Sequence, residues 1–126
     1  MRIDGFIDRV VKPSDREDAM RNSSVVCSAA PGNPVLVVSA AFQAHTGYAM
    51  GDAIGRNLSF LQGPNTEPEA VETFRRLIAT GEAGLVRITN YRADGVEFLH
   101  ECDMRPVRDQ SSRITHFVAI QKLIVP

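Results

Sequence analysis

Apolar residues recur along this chain with different periods, and the changes of period mark out its elements. Ile3, Phe6, Ile7 and Val10 fall three and four residues apart, with Asp4, Asp8 and Arg9 between them. That spacing predicts a short amphipathic helix over residues 1–12. Pro13 interrupts it, and Ser14 to Glu17 has a capping-box pattern that predicts another helical turn. Val25 to Ser28 and Val35 to Val38 are apolar runs on either side of Ala-Pro-Gly-Asn-Pro, a pattern of two strands and a turn. Residues 40–64 are cut by Gly47, Gly51, Gly55 and Gly63 into several short helices. The best helix is expected over about 67–80. There Val71, Phe74, Leu77 and Ile78 share a face, Thr66 and Glu69 have capping-box spacing, and Gly81 supplies the stop.

Three strands follow, roughly over 84–91, 96–106 and 114–124. Asp94-Gly95 is a turn signal between the first two, and Arg108 to Ser112 turns the chain into the third. Two strands, several helices, then three strands predict an α+β domain: a five-stranded antiparallel sheet with short helices on one face. Residues 1–22 are expected to form an N-terminal helical cap and residues 23–126 the domain itself. The chain ends soon after its last strand, so no effector domain is expected within it.

Parity sorts the strand residues by face. Phe98, His100, Cys102 and Met104 share one, as do Phe117, Ala119, Gln121 and Leu123, and as do Val86, Ile88 and Asn90. Their apolar members mark the core side, yet each set carries a polar residue: Asn90, His100 and Gln121. A buried amide without a partner costs on the order of 1–3 kcal/mol. These groups therefore bond each other or water, or a planar ligand with a polar edge satisfies them. Asn57 and Gln62, on the helical side, add two more amides.

Composition narrows the function classes. The chain has 126 residues, 44% of them hydrophobic, and a formal net charge of -1. No run of like charges points to nucleic acid or to an anionic membrane, and neither is expected as a partner. No apolar run approaches membrane-spanning length. Two cysteines, Cys27 and Cys102, are too few for a disulfide scaffold and are read as reduced. A cytoplasmic location follows as the expectation. No Ser/His/Asp set, clustered metal ligands or phosphate-binding glycine loop stands out, and His45, His100 and His116 are scattered. Enzyme activity is not expected.

The run Gly55-Arg56-Asn57-Leu58-Ser59-Phe60-Leu61-Gln62-Gly63-Pro64 resembles the signature of the LOV domain, the flavin-binding blue-light branch of the PAS family. Asn33-Pro34, Ala41-Phe42, Thr46-Gly47-Tyr48, Asn90-Tyr91-Arg92, Asp94-Gly95, Pro106-Val107-Arg108-Asp109 and Gln121 recur in that family in the same order. The resemblance covers roughly residues 25–124. It implies a PAS/LOV fold and a flavin cofactor, FMN in the first place, with riboflavin or FAD as alternatives. It further implies that Asn57, Gln62, Asn90 and Gln121 hold the flavin's polar edge and that Arg75 holds the phosphate. Gln121 matches the family's sensor of the ring nitrogen. An amide suits this edge because it donates and accepts in one plane.

Three departures bear on function. Leu58 stands where the family has its photoreactive cysteine, so no thioether to the flavin can form there. Ser59 replaces one of two phosphate-binding arginines, which favours riboflavin. His100 replaces an asparagine on the polar edge. A protonated imidazole there would favour an anionic, reduced flavin, and a satisfied core histidine is the plainer reading. Cys102 is turned inward and belongs to the candidate site, although as a core residue it needs no photochemistry. The chain thus reads as a sensory flavin module for blue light or redox state that lacks the cysteinyl reaction. The rival is a PAS-type protein-interaction module that no longer binds flavin.

Leu85, Leu99, Val118 and Ile120 lie on the strand faces turned away from the pocket. Exposed together they would form an unusually large apolar patch. The stripe of Ile3, Phe6, Ile7 and Val10 can cover it, either from its own chain or from a second subunit. A homodimer through the outer sheet face and the N-terminal helix is the expectation.

Overall fold

The computed structural model describes residues 2–124; Met1, Val125 and Pro126, which the expected domain bounds include, lie outside them. Helix α1 spans Ile3–Val10, a 3-10 turn Pro13–Asp15, and α2 Arg16–Arg21. Strands β1 (Ser23–Ser28) and β2 (Val35–Val38) form a hairpin. Helices α3 (Ala40–Thr46) and α4 (Met50–Ala53), the 3-10 helix Leu58–Leu61 and α5 (Pro68–Thr80) follow. Strands β3 (Gly84–Tyr91), β4 (Glu97–Arg108) and β5 (Ile114–Ile124) complete the chain. The sheet is antiparallel throughout, in the order β2-β1-β5-β4-β3.

The expected elements form with small shifts at their ends, but two expected caps do not. Thr66 is not the cap of α5: Glu67 occupies that position without a side-chain cap bond. The Thr66 hydroxyl instead donates to the Thr89 carbonyl at 2.7 Å and accepts the Gly63 N–H at 3.0 Å, tying the loop to the edge strand. Glu67 also leaves the helix end, accepting the Thr89 N–H and hydroxyl at 2.7 Å each. The Ser14–Glu17 box is likewise unformed, because the 3-10 turn at Pro13 moves the helix start to Arg16. Gly63 is required for another reason: a Cβ there would overlap the Tyr91 ring.

The sheet separates two cores. On the inner face Val86, Ile88, Met104, Phe117 and Ala119 meet Phe42, Ala53, Leu61 and Leu77 from the helices and the 3-10 segment. On the outer face Val26, Val37, Val118 and Ile120 lie under Ile7, with Ile3, Phe6 and Val10 against them. Within the chain the α1 stripe thus covers its own sheet, the first of the two ways of covering this surface. Ile7 is fully buried, and burying such a side chain is worth roughly 1.5–3 kcal/mol. Two polar ties fix the helix in place: Arg9 donates to the Arg108 carbonyl at 2.9 Å, and Arg105 donates to the Val10 carbonyl. Of the four outward apolar residues, Leu85 keeps 64% exposure and Leu99 is half-buried.

Candidate functional site

A cavity of about 460 Å³ opens between α5, the Leu58–Leu61 segment and the inner face of β3, β4 and β5. Its size lies within the usual range for small-molecule sites. The stripe of α5 supplies one apolar wall through Val71, Phe74 and Ile78. Ile88 and Met104 supply the opposite wall, because strand parity turns them inward beside Asn90. The gap between two apolar walls suits a flat ring system.

Six of the eight residues expected at the site line this cavity: Asn57, Leu58, Gln62, Arg75, Asn90 and Gln121. They come from the 3-10 segment and its flanks, α5, β3 and β5, so only the tertiary fold unites them. Asn90 and Gln121 are 4% and 2% exposed, buried amides on a cavity wall. Gln121 Oε1 accepts the Ser23 hydroxyl at 2.9 Å. Asn57 is partly committed elsewhere. Its Nδ2 donates to the Gly32 carbonyl at 2.8 Å, and its Oδ1 accepts the Ser59 N–H at 2.9 Å, capping the 3-10 helix. One N–H and one lone pair of that amide are left for anything else. Arg75 is the one charged side chain on the lining among the described residues. It stands at the exposed rim, 3.6 Å from Glu72.

His100 and Cys102, also expected at the site, do not line the cavity. Both are fully buried. His100 Nδ1 lies 3.4 Å from Asn90 Nδ2, and its Nε2 lies 3.3 Å from Nδ1 of His45 on α3. The Phe98 ring meets it edge to face at 4.6 Å. The imidazole is therefore satisfied from the protein side. Burial, and then the neighbouring His45, lowers its pKa to about 4 and keeps it neutral at physiological pH. Burial pushes the Cys102 thiol upward, with Asp103 and Cys27 adding to the shift, and pushes Cys27 to about 12. Neither thiol is an available thiolate near neutral pH. Among the described residues no cluster of three metal-ligating side chains occurs, and no helix is long and apolar enough to cross a membrane.

Asn33, Met104 and the α5 stripe were not expected at the site. The stripe looked like plain core, since a ligand wall and a core wall carry the same pattern. Asn33, in the left-handed region at φ 45° in the β1–β2 turn, also lines the cavity. The Asn-Pro dipeptide signalled a turn without indicating what it faces.

The PAS-domain family model matches residues 22–122. Rice phototropin-1A is 35% identical over 104 residues, 82% of this chain and 11% of its own length. Blue-light-activated histidine kinase 2 of Erythrobacter litoralis is 42% identical over 88 residues, 70% of this chain and 25% of its own. Among solved structures, the LOV domain of an Erythrobacter litoralis blue-light activated histidine kinase superposes with a TM-score of 0.79 at 36% identity, covering 83% of this chain and 97% of that one. The chain belongs to the PAS family and, within it, to the LOV domains. It spans only about a tenth to a third of the length of the curated relatives it matches. The kinase is blue-light-activated by name, and a Listeria monocytogenes relative, 39% identical over 90 residues, is named a blue-light photoreceptor; a sensory LOV module is the general class this chain shares with them.

Proposed function

We propose that this chain is a LOV-type sensory module that binds a flavin non-covalently and lacks the cysteinyl-flavin reaction. The observation that carries this reading is the convergence of Gln62, Asn90 and Gln121 with Arg75 on one cavity whose walls are apolar. A flavin has matching parts: a flat ring, a polar edge and, in FMN, a phosphate. When bound it supplies blue absorption and an electron-accepting ring. In this proposal Asn57, Gln62, Asn90 and Gln121 hold the polar edge, Val71, Phe74, Ile88 and Met104 enclose the ring, and Arg75 draws the phosphate toward the rim. Leu58 occupies the place of the nucleophile and offers only hydrocarbon. Cys102 acts as packing behind Gln121, and His100 as a brace behind Asn90. FMN is the first candidate, with riboflavin and FAD the alternatives.

The further parts of the proposal are residues 1–22 as a cap on domain 23–126, a cytoplasmic location and a homodimer through the outer sheet face. With the α1 stripe occupied by its own sheet, Leu85 is the main apolar side chain left for such a contact. Light scattering at micromolar concentration tests the dimer, and a monomer rejects it. The deciding experiment for the function is the absorption spectrum of the purified protein, or of protein reconstituted with FMN or riboflavin. A structured blue band with green fluorescence supports the reading. Protein that takes up neither flavin overturns it in favour of a PAS-type interaction module, the reading that Ser59 and the withdrawn His100 favour.

A further inference from the structure

Three side chains run in line from the half-buried end of α3 to the cavity. His45 Nδ1 faces His100 Nε2 at 3.3 Å, and His100 Nδ1 faces Asn90 Nδ2 at 3.4 Å. Asn90 is on the cavity wall. His100 is fully buried, and among the described residues its two ring nitrogens face those two groups. A neutral imidazole has one donor nitrogen and one acceptor nitrogen, and an amide has one donor end and one acceptor end. The three groups therefore cannot orient independently. An amide nitrogen toward His100 Nδ1 makes Nδ1 the acceptor. The His100 proton is then on Nε2 and is donated to His45 Nδ1.

We propose that His45 and His100 form a two-imidazole relay that decides which end of the Asn90 amide faces the cavity, so that protonation of His45 reverses the hydrogen-bonding edge shown to a ligand. The proton taken up from solvent comes to rest on His45 Nδ1, which then donates. His100 remains neutral, giving up its Nε2 proton and taking one on Nδ1 by exchange during transient opening. One proton is gained by the pair and none by the amide. Facing a donor at Nδ1, Asn90 turns its Oδ1 toward His100 and its NH2 toward the cavity. His45 is thus a positioning residue for the site, two side chains removed from it.

The surroundings favour this order of events. His45 is the more exposed of the two rings and meets solvent first. Burial, then the cation of Arg92, lowers its pKa, so the switch falls on the acid side of the ordinary histidine value. Arg92 donates to the carbonyls of His45 and Ala44 at 2.6 and 3.1 Å and carries Asp94 at 3.8 Å. No carboxylate touches either ring among the described residues. From β4 the other close neighbour is the uncharged Phe98 ring. His100 resists a second proton more strongly than His45 does, because burial and the adjoining imidazole both oppose it.

The effect on ligands rests on the cavity being the flavin site; the relay itself does not. The test is long-range proton–nitrogen NMR of the full chain, 15N-labelled and without flavin, between pH 8 and pH 4.5. The expected result is that, as His45 titrates, neutral His100 moves from its Nε2–H to its Nδ1–H form. The Asn90 side-chain amide signals should shift at the same midpoint, and both changes should vanish in His45→Phe. His45→Gln serves as the second variant if the aromatic one misfolds. A His100 that keeps one tautomer, or becomes doubly charged with His45, overturns the relay, as does an Asn90 amide that ignores pH. In the second arm, riboflavin affinity is measured at pH 7.5 and pH 5. A change of roughly fivefold in the native chain, absent in the variant, is the expected effect of one mismatched hydrogen bond. An unchanged affinity despite the switch overturns the recognition step. No riboflavin binding at either pH counts against the flavin reading, while the NMR arm still decides the relay.

Discussion

The Ser23 hydroxyl donates to Gln121 Oε1 at 2.9 Å, both side chains being buried, so the first residue of β1 holds an amide on the cavity wall. Ser23 follows α2 with only Asn22 between them, and Ser24 donates to the Ala19 carbonyl within α2 at 3.3 Å. The cavity amide and the end of the cap are thereby joined within a few bonds.

Ser23→Ala removes one partner and strands the other. The variant should lose about 1–3 kcal/mol of stability, the usual cost of a buried acceptor left unpaired. Urea unfolding of the native and variant chains measures it. A loss below about half a kcal/mol would mean that Gln121 finds another donor, such as water in the cavity.

Arg75, the one charged side chain on the cavity lining among the described residues, is exposed and lies 3.6 Å from Glu72; the proposed function gives it the phosphate. An exposed ion pair is weak, so FMN should bind less than about tenfold more tightly than riboflavin. Arg75→Ala should remove most of that difference. Calorimetric titration with both flavins reads this directly, and a large preference that persists without Arg75 would assign the phosphate to another group.

Illumination of the flavin-loaded chain should not give the blue-shifted spectrum of a thioether, because Leu58 has no sulfur and both buried thiols stay protonated. With an added reductant, slow bleaching by photoreduction should appear instead. Leu58→Cys should restore the blue-shifted product. Its appearance in the unmodified chain would identify Cys102 or Cys27 as a nucleophile despite burial, and single serine replacements would tell which.

His100 has a pH signature of defined sign. Its folded-state pKa, about 4, lies below the ordinary 6.5, so the unfolded chain takes the proton first. Its contribution to stability is intact above about pH 6.5 and is lost as pH falls toward 4, by about 3 kcal/mol at most. His45 and His116 are shifted the same way. Replacing His100 with Asn should flatten the dependence between pH 6.5 and 4.5 relative to the native chain. Parallel unfolding curves at every pH would show that this imidazole is not buried neutral.

Periodicity and parity, being local, determined the elements and the facing of side chains from the sequence alone. The α5 stripe, the inward placement of Asn90, His100 and Gln121, and the outward Val118 and Ile120 could all be read that way. The LOV signature named the amides and Arg75, because a motif carries its partners with it. Packing decided which of these residues meet. His100 turns inward as its parity requires, but its Nε2 faces His45, 55 residues away in sequence, and it does not line the cavity. Asn57 is half consumed by the Gly32 carbonyl, 25 residues distant. The α1 stripe could have served its own sheet or a second copy equally well. Within the chain it lies on its own sheet, tied there by Arg9 and Arg105 to backbone carbonyls. Hydrogen bonds between distant segments depend on the final distance and angle of two groups, and no local period encodes those.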